Sequence, residues 1–419
     1  MSVSDFNPLD PETVECPYPF YAAMRREAPV YQVPGAGFFI VSRYQDMKTV
    51  LLDTQTFTSK TGPGVRKEPP KEVVDILSQG WLPVDTLLTN DPPAHRRYRG
   101  LVNKAFTPRR VAVIEPNVRA IANDLVDAFI ADGRVELVSQ FAVPLPLTVI
   151  ANALGVPPAD QVHFKRWSDD AVAPLGGMIT PERELECAKS TVEFQRYFAA
   201  RLDERRAAPQ DDILTDLINA RLEGETPLDT AEMLSILQQL LVAGNETTTN
   251  LIASAMLLLL QNPQQLAAVR ADHSRIPNCV EEALRCESPV QGLFRMARLD
   301  TELGGVKIPA GSRLVLMYAS ANRDDQEFSQ AERFDVCRAN AKDHVAFGAG
   351  VHYCLGAPLA RLEATVAFET LLSRLRHIRL AKDKNDYRHT PSFILRGLKA
   401  LHLEFDQEAV AAEKRNGQS

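Results

Sequence analysis

The sequence predicts a mainly α-helical protein with a smaller β-rich lobe, an α+β arrangement. Apolar residues recur at helical spacing through most of residues 94–289 and again in 357–375. A capping box, Asp229-Thr230-Ala231-Glu232, begins one helix that Pro263 ends, and a helix of that length is about 50 Å long. Runs that favour strands, separated by Gly and Pro, lie at residues 29–41, 301–318 and 393–405.

The N-terminal part predicts a β hairpin, a helix and then a long loop. Residues 29–32 and 37–41 favour strands, and Pro34-Gly35-Ala36-Gly37 between them favours a turn. A helix is expected at residues 43–52. Residues 60–89 carry many Gly and Pro among scattered apolar side chains, which predicts a loop, and loops of this length are often functional.

The middle of the chain predicts helices, and the C-terminal part returns to strands. Helices are expected at residues 111–131, 144–154, 161–171, 181–207 and 211–221, ahead of the long helix that follows Asp229. Gly-rich residues 304–311 predict a hairpin that leads into a strand at 313–318. Residues 393–395 and 399–405 predict a second hairpin around Gly397, and residues 409–419 are expected to fray.

Composition favours one domain that spans residues 1–419 in a reducing compartment. The 419 residues contain no Gly/Ser-rich linker and no internal repeat, and a net charge of −7 gives no support for nucleic-acid binding. The longest apolar run, residues 251–260, is too short to span a bilayer, and residues 1–19 lack the apolar core of a signal peptide. The six cysteines show no CxxC spacing. We therefore expect a cytoplasmic protein with reduced cysteines and no membrane anchor.

The most informative segment is Phe347-Gly348-Ala349-Gly350-Val351-His352-Tyr353-Cys354-Leu355-Gly356. Its glycines allow tight bends and close approach to a flat group, and they leave peptide N–H groups free to point at the sulfur. A cysteine that accepts such bonds at a helix N-terminus has a lowered pKa and is a suitable metal ligand. The alternative is a small buried cysteine without chemistry.

This segment resembles the haem-ligand signature of the cytochrome P450 family, Phe-Gly-x-Gly-x-His-x-Cys-x-Gly, and every fixed position matches. The resemblance covers the chain from Asp91-Pro92-Pro93 to its last predicted hairpin. It implies the cytochrome P450 fold, with a long central helix over a haem. It also implies haem b (iron protoporphyrin IX) with Cys354 as the iron ligand and with Phe347, Gly348 and Gly356 beside the cofactor.

The centre of the long helix carries an unusual polar block. Ala243-Gly244-Asn245-Glu246-Thr247-Thr248-Thr249-Asn250 interrupts strongly apolar turns, and Gly and Thr both weaken or bend a helix. An acid beside an alcohol is a compact proton relay. The block resembles the oxygen-activation motif of the same family, which implies Glu246 as the relay acid, Thr247 as the hydroxyl beside O2, and Ala243 beside the haem.

Glu282 and Arg285 lie at i, i+3 on one predicted helix. Such a pair is usually an exposed salt bridge that contributes little. The resemblance instead implies the buried Glu-x-x-Arg pair that braces the cysteine loop together with a further basic residue. Both Arg333 and Arg338 fit that third position, and the sequence leaves the choice open.

Four further residues match the family's contacts to the haem propionates. His95 and Arg99 are at i, i+4 after Asn90-Asp91-Pro92-Pro93, Arg295 follows the Glu282 helix, and His352 precedes Cys354. Each is a donor suited to charge-assisted bonding with a carboxylate.

A basic face is expected near the cofactor, and the resemblance makes it the docking site of a separate ferredoxin or flavodoxin-like electron donor. Its members are Arg96, Arg97, Arg99, Lys104, Arg109, Arg110 and Arg361. The resemblance also implies an apolar substrate pocket formed by Leu240, Ala243, Val290, Leu293, Phe294, Phe393 and Ile394, with further residues from 60–89 and 171–180.

Taken together, the resemblance implies a haem-thiolate monooxygenase, of a soluble bacterial type and expected to be a monomer. It would insert one atom of O2 into a lipophilic small molecule, by hydroxylation or a related oxidation. The alternatives on the same scaffold are a peroxide-using haem-thiolate enzyme and a non-catalytic haem gas sensor. The Glu246–Thr247 pair argues against the peroxide route, which needs no relay for O2.

Overall fold

The computed structural model describes residues 2–8, 10–61, 69–103, 108–176 and 179–406, without the side chains of 108 and 109. Helices form most of this part of the chain. Their bounds are α1 Pro11–Glu15, α2 Tyr18–Glu27, α3 Tyr44–Leu52, α4 Lys71–Leu77, α5 Ala94–Val102, α6 Pro108–Phe129, α7 Pro144–Ala153, α8 Gln161–Val172, α9 Pro181–Ala207, α10 Ile213–Asn219, α11 Thr230–Gln261, α12 Pro263–Ala271, α13 Ile276–Cys286, α14 Tyr318–Ala321 and α15 Ala357–Arg374.

The strands are short and form three sheets. Their bounds are β1 Val30–Gln32, β2 Phe38–Val41, β3 Phe57–Thr58, β4 Arg134–Glu136, β5 Leu293–Ala297, β6 Thr301–Leu303, β7 Val306–Ile308, β8 Arg313–Leu316, β9 Arg379–Leu380 and β10 His402–Glu404. The main sheet has the order β1-β2-β8-β5-β3, the second has β4-β10-β9, and β6 pairs with β7. The predicted α-helical body and smaller β-rich lobe are confirmed.

Helix α11 is the centre of the molecule. Asp229 caps it as predicted: its side chain accepts a hydrogen bond from the Glu232 N–H at 2.8 Å, and Glu232 accepts one from the Asp229 N–H at 3.0 Å. One core cluster packs α11 against α6, α13 and α15, and a second packs it against α8 and α9. The helix is therefore covered on several faces, which explains why its sequence is apolar almost all round.

Three sequence predictions about elements are wrong. Helix α4 lies inside residues 60–89, which were expected to be loop, and residues 62–68 of that loop lie outside the described part. Strand β4 lies inside the expected α-helical body, where β10 pairs with it. Strands β3 and β5 also fall outside the expected β regions.

The second predicted hairpin does not form between residues 393–395 and 399–405. Leu395 bridges to Val290 instead, while β10 pairs with β4 and β9. Pairing around Gly397 joins residues 388–390 to 397–399, because the N–H of Thr390 donates to the Gly397 carbonyl and the N–H of Lys399 donates to that of Arg388. The frayed residues predicted at 409–419 lie outside the described part.

None of the described helices combines the length and the hydropathy that a membrane span requires. All six cysteines lie within the described residues, and none of them forms a disulfide bond there.

Candidate functional site

The cysteine loop runs from residue 346 to 356 and ends at α15. Gly348 and Gly350 have φ values of +69° and +67°, a left-handed conformation that residues with a Cβ rarely adopt. A Cβ at Gly350 would also lie 2.9 Å from the Leu51 carbonyl oxygen at the end of α3. The N–H of Cys354 donates to the Phe347 carbonyl at 2.9 Å and closes the loop. The glycines thus place Cys354 at the start of α15.

A cavity of about 280 Å³ separates α11 from this loop. The predicted residues Cys354, Phe347, Gly356, Ala243 and Thr247 all border it. Its other walls are mostly apolar: Leu87, Leu88, Ile150, Leu175, Leu240, Val242, Leu251, Leu284, Pro289, Val290, Leu293, Ala346, Leu355, Leu359, Ala360, Ile394 and Leu395. The thiol and the Thr247 hydroxyl therefore face one apolar space from opposite elements.

The protein alone does not keep the Cys354 thiol ionised. Burial raises its pKa, and this outweighs the N–H groups of Gly356 and Ala357 and the Arg99 guanidinium, which lower it. The expected lowered pKa is therefore wrong for the thiol without a bound cation. A metal ion bound to the sulfur would supply the missing charge, since coordination deprotonates a thiol.

The polar block of α11 does not break the helix. The Thr247 hydroxyl donates to the Ala243 carbonyl at 2.7 Å, and Thr249 donates to the Ala142 carbonyl at 3.0 Å. A Cβ at Gly244 would lie 3.4 Å from Ile150 of α7, so the missing side chain leaves room for close helix packing. Among the described residues of this block, Thr247 and Thr248 border the cavity with their side chains, whereas Thr249 does not.

Glu246 lies beside the cavity and does not line it. Burial raises the pKa of its carboxyl, and the Asp169 carboxylate of α8 raises it further, while Lys165 opposes the increase. Glu246 is therefore a carboxyl that holds its proton more tightly than an exposed glutamate and sits next to a hydroxyl on the cavity wall.

Glu363 is a second buried carboxyl, and sequence analysis missed it. It lies on α15, borders the cavity and is 1% exposed. Burial raises its pKa to about 8, which a hydrogen bond with Thr248 only partly offsets. The sequence signal was available, since Glu363 follows Cys354 by nine residues on a helix that begins beside the thiol.

Glu282 and Arg285 form a fully buried pair on α13. Arg285 donates from Nε and Nη2 to the two carboxylate oxygens of Glu282 at 2.7 and 2.8 Å, and both side chains are 0% exposed. Arg338 donates from Nε to the same oxygens at 3.0 and 3.1 Å. Arg333 contributes only its carbonyl oxygen, which accepts from Arg285 at 3.0 Å. The open choice is thus resolved in favour of Arg338.

His95 and His352 meet at one end of the site. Their ring centroids are 4.3 Å apart. His95 is 2% exposed, and neither of its ring nitrogens is hydrogen-bonded to a described residue. Ser59 Oγ lies 3.0 Å from Nε2 of His352. Burial lowers the pKa of His352 to about 3 and also lowers that of His95, so both rings are neutral at pH 7. A neutral imidazole has one N–H to donate, and no acceptor for that of His95 lies among the described residues.

Arg99 and Arg295 flank these rings. Arg99 borders the cavity and donates from Nε to Asn103 at 2.9 Å. Arg295, on β5, is 6% exposed, donates to the Phe294 carbonyl at 2.8 Å and is close enough to lower the pKa of His352. The four predicted propionate contacts are thus brought to one end of the site.

Two of the predicted pocket residues lie away from the cavity. Phe294 and Phe393 pack around Phe38 at ring centroid distances of 5.5 and 6.0 Å, in a core cluster under the main sheet. The other predicted members line the cavity. From the flanking segments, Leu87, Leu88 and Leu175 also line it, whereas Gly177 and Met178 lie outside the described residues.

Three members of the expected basic face form ion pairs within the described residues. Arg97 pairs with Glu232 at 2.7 Å, Arg110 with Asp216 at 2.6 Å, and Arg361 with Glu281 at 2.6 Å. Arg96 is exposed and forms no ion pair within the described residues. Lys104 and the side chain of Arg109 lie outside the described part.

The chain was compared with known proteins. A family model described as Cytochrome P450 matches residues 174–403, more than half of the chain. Cytochrome P450 monooxygenase PikC of Streptomyces venezuelae is 36% identical over 96% of this chain and 94% of its own. The solved structure of cytochrome P450 CYP109Q5 from Chondromyces apiculatus is 41% identical, with a TM-score of 0.84 over 97% of this chain and 98% of that one.

A third comparison carries a ligand in its description. The structure of CYP109E1 from Bacillus megaterium in complex with testosterone is 33% identical, with a TM-score of 0.81. It covers 93% of this chain and 99% of that one.

Proposed function

Because this chain belongs to the cytochrome P450 family and is a haem-dependent monooxygenase, we propose that it inserts one atom of O2 into a lipophilic small molecule, with electrons from a separate ferredoxin or flavodoxin-like protein. One observation carries the proposal. Cys354 and Thr247 face the same apolar cavity from opposite sides, with Glu246 adjacent in sequence to Thr247.

The residues around the cavity suit haem b. The cavity offers a soft sulfur ligand on one wall, and Gly356 leaves open space there, since a Cβ at that position would meet no atom within 4 Å. Haem b carries two carboxylates. The single N–H of the neutral His95 ring, which has no acceptor among the described residues, and the guanidinium groups of Arg99 and Arg295 are donors that fit them. An apolar cavity with donors at one end therefore matches a flat cofactor with propionates at one edge.

When bound, the haem supplies O2 activation, which a thiolate ligand favours by donating electron density. The chain's residues then have separate tasks. We assign iron binding to Cys354, the propionates to His95, Arg99, Arg295 and His352, and the bracing of the loop to Glu282, Arg285 and Arg338.

The proton path is assigned to Glu246 and Thr247. Burial raises the pKa of Glu246, so its carboxyl holds a proton more tightly than an exposed glutamate and can pass that proton on. The Thr247 hydroxyl faces the cavity and can exchange its bond to the Ala243 carbonyl for one to a water or to substrate oxygen. These two residues would deliver protons to the cavity while its apolar walls exclude bulk water.

The substrate is assigned to lipophilic molecules of modest size, such as terpenoids, steroids, fatty acyl chains or aromatic compounds. The cavity walls are mainly leucine, isoleucine, valine and alanine, so burial supplies most of the binding free energy. A structural relative was solved with testosterone, which is a guest of this kind.

The iron ligand can be tested by spectroscopy. Carbon monoxide bound to the reduced holoprotein should give the red-shifted absorption band of thiolate ligation. Cys354→Ala should lose that band, whereas the matched variant Cys16→Ala, at an exposed cysteine, should keep it. A thiolate band that survives in Cys354→Ala would disprove the assignment.

The substrate class can be tested by titrating ferric holoprotein with a panel of lipophilic and polar compounds. Lipophilic members should displace water from the iron and change its spin state, and polar ones should not. A protein that responds to polar compounds alone contradicts the proposed class. Product analysis with O2, a ferredoxin and its reductase then tests the monooxygenase reaction itself.

A further inference from the structure

One wall of the cavity comes from a segment with no helix or strand. Residues 79–88 connect α4 to the region before α5, and Leu87 and Leu88 border the cavity. Backbone N–H and C=O groups that form no ladder need other partners when they are shielded from water. Three side chains on two helices supply those partners here.

Gln195 of α9 holds the start of the segment. Its Oε1 accepts from the Trp81 N–H at 2.9 Å, and its Nε2 donates to the Trp81 carbonyl at 2.8 Å. One side-chain amide thus pairs with both backbone groups of a single residue, as a neighbouring strand would. Gln195 is 4% exposed, and a Cβ at Gly80 would collide with its Oε1. The glycine is therefore required for this contact.

Ser235 and Gln239 of α11 form hydrogen bonds with the remainder of the segment, at Val84, Thr86 and Leu88. Ser235 Oγ accepts from the Val84 N–H at 2.9 Å. Gln239 Oε1 accepts from the Leu88 N–H at 3.0 Å, and its Nε2 donates to Thr86 Oγ1 at 2.7 Å. The two residues are at i, i+4, so they face the segment from the same side of the helix.

Gln239 itself borders the cavity, although both ends of its amide are engaged with the segment. Thr86, one of its partners, is 0% exposed. The Gln239 side chain therefore connects the wall formed by Leu87 and Leu88 to α11, the helix that also carries Thr247 eight residues, about two turns, further along.

We propose that Gln195 and Gln239 are positioning residues that fix segment 79–88 as a wall of the cavity and so set the size of guest that the cavity accepts. They act on the guest through Leu87 and Leu88. The inference rests on the proposed function for the identity of the guest, whereas the hydrogen bonds themselves do not depend on it.

The first test is hydrogen exchange in the holoprotein. Gln239→Met keeps the length of the side chain and removes its hydrogen bonds. Amide exchange in residues 84–88 should become about tenfold faster, because one net hydrogen bond contributes roughly that factor to local opening. Gln238→Met is the matched control, since Gln238 is half-buried on the same helix and its side chain forms no hydrogen bond with the described residues.

The second test is guest size. Imidazole and the bulky azole bifonazole both coordinate haem iron, but only the bulky one needs the wall to yield. Relative to imidazole, bifonazole should bind about tenfold more tightly to Gln239→Met than to the wild type, because the wall yields more easily. The ratio of the two dissociation constants should stay at the wild-type value in Gln238→Met. Gln239→Glu, which can still accept from Leu88 and from the Thr86 hydroxyl, should restore most of the wild-type ratio.

The outcomes separate the two ideas. Unchanged exchange and an unchanged ratio in Gln239→Met overturn the positioning role. If Gln239→Met does not fold, Thr86→Val is the second variant, because it removes the hydrogen bond between Thr86 and Gln239 from the side of segment 79–88. Amide exchange in residues 84–88 should then become faster. Exchange at the wild-type rate in Thr86→Val also overturns the positioning role. A wild-type protein that binds neither azole refutes the proposed function instead, and the exchange result still decides the positioning role.

Discussion

At the scale of single residues, the hydrogen-bond and charge partners of a buried carboxyl determine whether it is ionised. Burial opposes ionisation of Glu281, yet hydrogen bonds from His344 and Arg361 lower its pKa to about 2. Glu363 has no cationic partner among the described residues, and burial raises its pKa to about 8. Two glutamates of one protein thus take opposite charge states at neutral pH, which residue type alone does not predict.

The protonated state of Glu363 gives a stability prediction. Because its folded pKa lies above the unfolded value of 4.5, the folded state binds the extra proton between pH 4.5 and about 8, and stability falls as pH rises through that window. Glu363→Gln removes this loss. Its free energy of unfolding relative to wild type should therefore increase by up to about 1 kcal/mol per pH unit in the window and level off above it.

Urea unfolding of the holoprotein across that pH range measures this difference. Glu12→Gln, at an exposed glutamate, is the control and should show no such trend. A flat difference for Glu363→Gln would mean that Glu363 is ionised in the folded protein.

The Thr247 hydroxyl gives a prediction about coupling. Thr247→Ala removes the hydroxyl that faces the cavity and leaves the haem site intact, so more of the electrons should reduce O2 to hydrogen peroxide instead of supporting product formation. Product formed per NADPH should fall about tenfold or more, since relay groups contribute at least that factor. The measurement is peroxide and product per NADPH consumed.

Thr249→Ala is the matched control for this prediction. Thr249 lies on the same helix but donates to the Ala142 carbonyl away from the cavity, so this variant should lose stability and keep its coupling. Full coupling in Thr247→Ala contradicts the relay role.

At the scale of elements, the fold is held where side chains replace missing backbone partners. The segment from 322 to 356 contains few regular elements, and Arg285 donates there to the carbonyls of Asn322, Ala331 and Arg333. Arg338 adds bonds to the carbonyls of Ser329, Gln330 and Arg333. Glu282 anchors both arginines, so one buried carboxylate organises the approach to the cysteine loop.

This network predicts unequal roles for two neighbouring arginines. Arg338→Ala leaves the Glu282 carboxylate short of a buried partner and should lower the free energy of unfolding by about 3 kcal/mol, with loss of haem. Arg333→Ala keeps the carbonyl that the network uses and should stay within about 0.5 kcal/mol of wild type. Chemical unfolding and haem content measure both, and equal effects would contradict the assignment of Arg338.

At the scale of the whole molecule, the net charge of −7 hides the local arrangement of charge. Most of the arginines expected to form a basic face are engaged in ion pairs, and Arg96 stays exposed among the described ones. If the proposed electron donor docks on this face, fewer unpaired cations are present to attract it than the sequence suggests.

The electron donor gives a salt-dependent prediction. The rate at which a reduced ferredoxin delivers electrons should fall about tenfold between low and high ionic strength, because exposed charges are screened. Arg96→Glu should slow this transfer further at low salt, whereas Arg26→Glu, at an exposed arginine of α2, should change it little. Rates that are independent of salt would argue against docking through this face.

Local signals along the chain were enough to predict the family, the haem-thiolate chemistry and the long helix. The cysteine-loop glycines and the Asp229 capping box act within a few residues, and their consequences are readable in order along the chain. The sequence also predicted eleven of the residues that line the cavity, because they lie in or near the recognised motifs.

Contacts between residues far apart in sequence could be identified only in the folded protein. Strand β10 pairs with β4 and β9, and Arg338, not Arg333, binds the Glu282 carboxylate. Phe294 and Phe393 pack against Phe38 and not against the cavity. The raised pKa values of Cys354 and Glu363 could likewise not be predicted from the sequence, because burial causes them. Each outcome depends on burial and on contacts between distant elements, and local sequence carries no record of which surfaces will meet.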